Sequence, residues 1–267
     1  MASIHNPTGT GLIERQWRGA INWRWAEFSK RAVDQLRNAN GLVTNDETFV
    51  MSPAQIRTYM VFLNLQIDEL LLGSDQAPNW QSQYQSESYE RALVDARQAI
   101  KSQGAQLAPT RVEQMAAQGL TAAQFTAISS LGTASEFPIH QDALEFLFTR
   151  SYESLNKWTD ALATETRQIL MEGVQQGQGI NEVVRNFRKR IDVSKSRARV
   201  IAQTETIQAY QHSTANETER AEEETGQELF IRWLTVLDSR VRHLHAKWHG
   251  KLMTVKEYRK NIVISPW

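Results

Sequence analysis

The chain has 267 residues, 30 Lys plus Arg against 30 Asp plus Glu, and a 41% apolar fraction. At roughly 150 residues per domain, that is enough for one large or two modest folded domains. A net charge of zero names no partner, and the absence of cysteine excludes disulfide scaffolds, thiolate zinc sites and cysteine nucleophiles. No run reaches the roughly 18 apolar residues of a membrane span, and the polar stretch Met1 to Gly11 does not read as a secretion signal, so neither is expected.

The first half reads as successive amphipathic helices. Trp17, Ile21, Trp25, Phe28 and Ala32 recur at steps of four, four, three and four and so share one helical face. Large rigid aromatics on one face are typical partner anchors, so Trp17, Trp25 and Phe28 are expected to dock a partner protein; an internal core stripe is the alternative. Ser52-Pro53-Ala54-Gln55 is a helix start, with Ser52 as cap, Pro53 in the first turn and Gln55 reaching back. Ile56, Tyr59, Met60, Leu63, Ile67, Leu70 and Leu71 continue its apolar stripe to Gly73, which is expected to end it. Residues 73–88 are Gln/Ser-rich with Pro78 and read as a long exposed loop. Helices are predicted near 88–103, 110–118 and 121–130, the last led by a capping box at Thr121 to Gln124.

A linker from Gly132 to Glu136 divides an N-terminal helical region, 1–136, from a second region, 137–267. This second region opens on a helix with no breaker until Gly173, carrying Leu144, Leu147, Phe148, Tyr152, Leu155, Trp158, Leu162 and Ile169. Gly177-Gln178-Gly179 then reads as a stop, Ile180 to Val184 as a new helix, and Ser194 as the start of a further one whose small face includes the odd carboxylate Glu205. After Gly226, the β-branched and aromatic run Leu229 to Leu237 is the best strand candidate, with a partner near Leu252 to Val255. The predicted fold class is mainly α: an N-terminal helical region plus a small α+β C-terminal module with a short antiparallel sheet.

Charge is local. Arg185 to Arg199 holds seven cations against Asp192, Glu217 to Glu228 holds six Glu against Arg220, and 232–260 holds eight Lys/Arg against Asp238 and Glu257. The first two runs read as solvated faces or as pairing with each other, with polyanion contact as the alternative.

Arg199-Val200-Ile201-Ala202-Gln203-Thr204-Glu205-Thr206, then Trp233, Asp238-Ser239-Arg240-Val241-Arg242, His245 and Gly250-Lys251, together resemble the MuF-type phage head morphogenesis proteins over about 151–267. The resemblance implies a minor capsid protein associated with the portal inside the phage head, acting in head assembly and DNA packaging or delivery. It implies a structural motif of Thr204, Glu205, Trp233, Asp238, Arg240, His245 and Gly250. The implied partners are the portal protein and the major capsid or scaffold protein, while the charge of 232–260, interleaved with aromatics, itself reads as a surface for packaged double-stranded DNA held non-specifically through Arg240, Arg242, Lys247 and Lys251. Several copies around the portal and a location in the capsid interior near that vertex follow, with the host cytoplasm during assembly and no membrane in the virion state. The chain ends at Ser265-Pro266-Trp267, before the Pro-rich, Cys-containing segment usual in the family, so no zinc role is carried over.

The competing chemistry is a metal-dependent hydrolase, nuclease or toxin-linked module using Asp238, His245 and His249. If 241–249 is helical, His245 and His249 share a face while His243 points about 200° away from His245, and no Glu follows the first His of the pair. Nor does any Gly-x-Ser-x-Gly or phosphate-cradling Gly-Lys-Ser/Thr loop occur. No catalytic residue, cofactor or metal is therefore expected. Glu205, Asp238 and His245 are instead predicted to form a metal-free polar cluster covered by Trp233 and Trp248.

Overall fold

The computed structural model describes residues 9–39, 48–73, 79–117, 136–234 and 243–263. The chain divides into two compact units. One comprises Arg15–Ser82 and Phe148–Gln203; the other comprises Met1–Glu14, Gln83–Leu147 and Thr204–Trp267. Both draw on sequence from either side of residue 136, and residues 118–135, including the expected helix and box at Thr121, lie outside the described ones.

In the unit of Arg15–Ser82 and Phe148–Gln203, the aromatic stripe becomes the inner face of α1 (Gly11–Ala39), where Trp17, Ile21, Trp25, Phe28, Ala32, Val33 and Leu36 are all buried. Trp25 and Phe28 meet edge to face at 6.1 Å, a favoured aromatic geometry. Ser52 caps α2 (Pro53–Gln66) as predicted: its side chain accepts the Gln55 N–H at 3.2 Å, and the Gln55 side chain accepts the Ser52 N–H at 2.8 Å. The helix then widens into a π-helical turn, Ile67–Leu72, and stops at Gly73. Gly73 is required twice over, because its φ is 73° and a Cβ there would stand 2.8 Å from the Trp80 ring. Tyr59 is buried and donates to the Ala32 carbonyl at 3.0 Å, tying α2 to α1.

Two long helices complete this unit. The first, α5 (Pro138–Gln175), runs unbroken to Gly173 as the sequence predicts and continues two residues past it. The second, α6 (Ile180–Thr225), is one uninterrupted helix of 46 residues, where two helices were expected. No Gly or Pro lies between Ile180 and Thr225, and Ser194 is a buried mid-helix residue instead of a cap. Gly177, at φ 62°, turns the chain between α5 and α6. The hairpin end is closed from outside: Phe49 N–H donates to Gln178 O at 2.7 Å, and Thr48 bridges Gly179. A Cβ on Gly173 would lie 2.6 Å from Val183 and 3.2 Å from Phe49, so the close approach of α5 to α6 depends on that glycine.

In the other unit, α3 (Ser82–Ser102) begins earlier than the sequence suggests. Asn79 accepts the Gln81 and Ser82 N–H groups at 2.9 Å each, so a polar, Ser/Gln-rich segment that reads as loop is a capped helix start. α4 (Arg111–Ala117) has its own box, Thr110 with Glu113. β1 (Phe230–Arg232) pairs antiparallel with β2 (Leu252–Thr254), Ile231 opposite Met253. β1 ends at Arg232, short of the expected run, of which residues 235–237 lie outside the described ones; β2 falls where a partner was expected. Between them lies α7 (His243–Trp248), and α8 (Val255–Tyr258) follows, capped by Thr254 and Glu257, leading into a π-helical turn, Arg259–Val263. Ile231, Met253, Val255 and Tyr258 pack on Ala215 of α6. The fold is thus mainly α with a small antiparallel sheet.

Candidate functional site

From Thr204 onward, α6 presents an unusual inner face. Ala209, Ala215 and Ala221 are buried, and so are Glu205, Thr206, Ser213, Asn216 and Glu217. Buried polar groups need partners. Here the small side chains bring the neighbouring backbone within reach: Ser88 Oγ donates to Thr206 O at 2.8 Å, and Ser213 Oγ to Tyr89 O at 2.7 Å.

At the centre lies Glu217, with none of its side chain exposed. Arg97 Nη1 donates to it at 2.8 Å, and Arg220 grips both its oxygens, Nε at 2.9 Å and Nη2 at 2.8 Å. His140 Nε2 stands 3.2 Å away, while His140 Nδ1 is 2.8 Å from Tyr89 Oη, which accepts from Asn216 Nδ2 at 2.8 Å. The donor order that satisfies every group runs from Asn216 to Tyr89, His140 and Glu217. Arg97 is itself buried and also reaches Ala108 O at 2.7 Å and Glu113 at 3.1 Å; Lys101 meets Glu113 at 2.7 Å. Arg259, in the turn after α8, binds Asn216 Oδ1 at 2.6 Å and pairs with Glu219. The network therefore ties α3, α4, the start of α5 and the C-terminal module to one stretch of α6.

Burial pushes the Glu217 carboxyl up, but hydrogen bonds from Arg220 and His140 and the charges of Arg220 and Arg97 more than offset it, holding it down at about 2. Glu113 is held at about 2 in the same way: desolvation raises it, and Lys101, the Thr110 N–H and Arg97 outweigh that. The Glu217 bond raises Arg220, and burial raises Tyr89. A carboxylate held so far below neutrality is a poor proton acceptor, so the geometry suits a clamp better than a general base.

Trp233 meets Trp248 edge to face at 6.4 Å and Tyr258 at 6.2 Å, and both tryptophans pack on the Ile231 and Met253 cluster. Gly250, at φ 78°, donates to Trp233 O at 2.8 Å, while Trp233 N–H donates to Lys251 O at 2.9 Å; these bonds extend the β1–β2 ladder through a left-handed residue. Thr204 is half-buried and Glu205 buried. Asp238, Arg240, Arg242 and the His245 side chain lie outside the described residues, and with them the predicted cluster around Glu205. Lys247, His249 and Lys251 are exposed. Among the described residues, no three His, Asp or Glu side chains group closely enough to hold a metal, and no helix is long and apolar enough to cross a membrane.

One expectation is overturned. Trp17, Trp25 and Phe28 are 1%, 3% and 0% exposed within the chain itself, so their surface is already spent on core packing and cannot anchor a partner. The acidic run is also not a solvated face at Glu217. The residues that sequence reasoning missed, Arg97, His140, Asn216 and Arg259, stand far from Glu217 in sequence or carry no motif. The one available signal was a Glu among small residues on an otherwise inward helix face.

This arrangement defines a helical protein in which buried ion pairs tie α3 to one long helix, while the C-terminal α+β module joins that helix through the part-buried Arg259–Glu219 pair and the apolar contacts around Ala215. Residues 164–266, under half of the chain, match the family described as Phage Mu protein F like protein, so that segment carries a MuF-type domain, which supports a phage head-related protein in general terms. The matched segment begins within α5, spans the α5–α6 hairpin and continues through the module. No curated protein and no solved structure matches the chain.

Proposed function

We propose that the protein is a non-enzymatic minor head protein, located in the capsid interior at the portal vertex, that acts in head assembly and in DNA packaging or delivery. The observation that carries this reading is the MuF-type match over 164–266, spanning the long hairpin and the clamped module. The clamp supports a structural role: its central carboxylate is fully paired and held at about 2. Under this reading the portal protein is the principal partner, the major capsid or scaffold protein a further one, and several copies surround the portal. Packaged DNA would meet the exposed Lys247 and Lys251 of the module through phosphates, without base reading.

The test is quantitative mass spectrometry of purified virions, combined with cross-linking of intact particles. We expect several copies per particle and cross-links to the portal protein. A protein abundant in infected cells but absent from purified heads would overturn the reading, as would stoichiometric metal with hydrolytic activity in the purified chain.

A further inference from the structure

The basic run Arg185 to Arg199 is not used by the clamp. Three of its cations are occupied within their own unit: Arg190 pairs with Glu165 at 2.6 Å, Arg197 stacks over Trp158 at 5.1 Å, and Arg199 holds Asn22 Oδ1 at 2.6 Å and 3.0 Å. Four remain. Arg185, Arg188 and Lys189 are exposed and Lys195 half-buried, and among the described residues none of them enters an ion pair. Their spacing of three, four and ten residues from Arg185 places them on one side of α6. That stripe borders an open cleft of about 370 Å³, to whose lining α1 adds a further exposed cation, Lys30, and α6 contributes Arg188 and Lys195.

We propose that this stripe, with Lys30, is a second contact surface for the phosphate backbone of duplex DNA, separate from the module's lysines. Cations outside any ion pair, held close together on a rigid helix, repel one another, and that repulsion is relieved by a polyanion. Arginine forks match phosphate oxygens in pairs, and a row rising 1.5 Å per residue from Arg185 to Lys195 covers roughly 15 Å, the reach of a few successive phosphates. A protein partner fits less well, because the centres of protein interfaces are depleted in charged side chains. Two carboxylates, Asp34 and Asp192, also line the cleft. They would oppose a phosphate, and that opposition gives the surface a distinctive signature. The inference adds a site to the reading above and is tested in solution, so it can fail while the virion location stands.

The experiment measures binding of the full chain to a fluorescent mixed-sequence duplex of about 30 base pairs across a salt series, by anisotropy. The triple variant Arg185→Gln/Arg188→Gln/Lys189→Gln is expected to lose tenfold or more in affinity at low salt, on the order of 50 mM. Its log–log salt slope should shrink by about 0.9 for each phosphate contact removed. Arg185→Lys/Arg188→Lys should retain most binding. Asp192→Asn should tighten binding severalfold, a gain that misfolding cannot produce. An unchanged slope in the triple variant, no tightening in Asp192→Asn, or no duplex binding by the parent chain at low salt would each overturn the proposal.

Discussion

In the unit of Arg15–Ser82 and Phe148–Gln203, the helices meet through large apolar side chains, with Trp17, Phe28, Tyr59, Leu63 and Phe187 all at 2% exposure or less. In the unit of Gln83–Leu147 and Thr204–Trp267, the apolar packing described is divided among small separate clusters, around Tyr89, around Ile100 and around Ile231, and the contacts beside them run through Ser88, Ser213, Asn216 and the ions around Glu217. Apolar packing is non-directional and tolerates adjustment, whereas a buried ion cluster holds only if every member is present. The two halves of α6 therefore rest on different physics. The first should respond to lost volume, the second to lost charge and to pH.

The largest effects set these two against each other. Phe28→Ala should cost about 3 to 5 kcal/mol in urea unfolding by opening a cavity. Glu217→Ala should cost a comparable amount, about 3 kcal/mol, because it removes the buried one of the two carboxylates paired with Arg97 and leaves only the part-exposed Glu113 beside it. What separates the two losses is rescue. Replacing Arg97 and Glu217 together by Met and Leu should recover most of the second loss, since a buried pair can be exchanged for apolar groups at little net cost. A double variant as unstable as Glu217→Ala would show that the site is held by packing after all.

The pH response sharpens the same contrast. Glu217 and Glu113 both fall from an ordinary value of 4.5 to about 2 in the folded chain. A carboxyl with a depressed folded pKa contributes stability that is fully present above its unfolded value and is lost as pH falls through the folded one. Melting temperature should therefore drop between pH 4.5 and about 2, and Glu217→Gln should flatten part of that drop. Phe28→Ala should lower the whole curve without changing its shape. A Glu217→Gln curve parallel to the parent's would remove the clamp from the explanation.

This division also explains what could be read from sequence. The α1 stripe, the Ser52 box, the α5 helix up to Gly173 and the β1–β2 pairing were legible because each is written in local spacing or capping chemistry. Whether the stripe faced a partner or the core was not, since a helical face looks the same in both cases. The continuity of α6 was obscured by a serine at 194 that resembles a cap, whereas the glycines at 177 and 179 correctly mark the turn before it. The clamp was least visible of all. Arg97 and Glu217 are 120 residues apart, and a Glu within a run of six reads as solvent-facing until its helix is seen to turn that residue inward.

The smallest effects come from two glycines, one in each unit, that matter for opposite reasons. Gly173 sits within helix α5, and a Cβ there meets Val183 at 2.6 Å and Phe49 at 3.2 Å. Gly173→Ala should cost about 1 to 3 kcal/mol through overpacking, and trimming Val183 to Ala in the same chain should return part of it. Gly250 has open space around its would-be Cβ and a φ of 78°. Gly250→Ala should cost about 1 to 2 kcal/mol from backbone strain alone, with no neighbour whose truncation relieves it. Gly250→Asn should be milder, because Asn tolerates the left-handed region. Equal losses for Ala and Asn at 250 would remove the left-handed backbone angle as the reason for glycine at the end of the ladder, since the backbone N–H that donates to Trp233 O is present in all three residues.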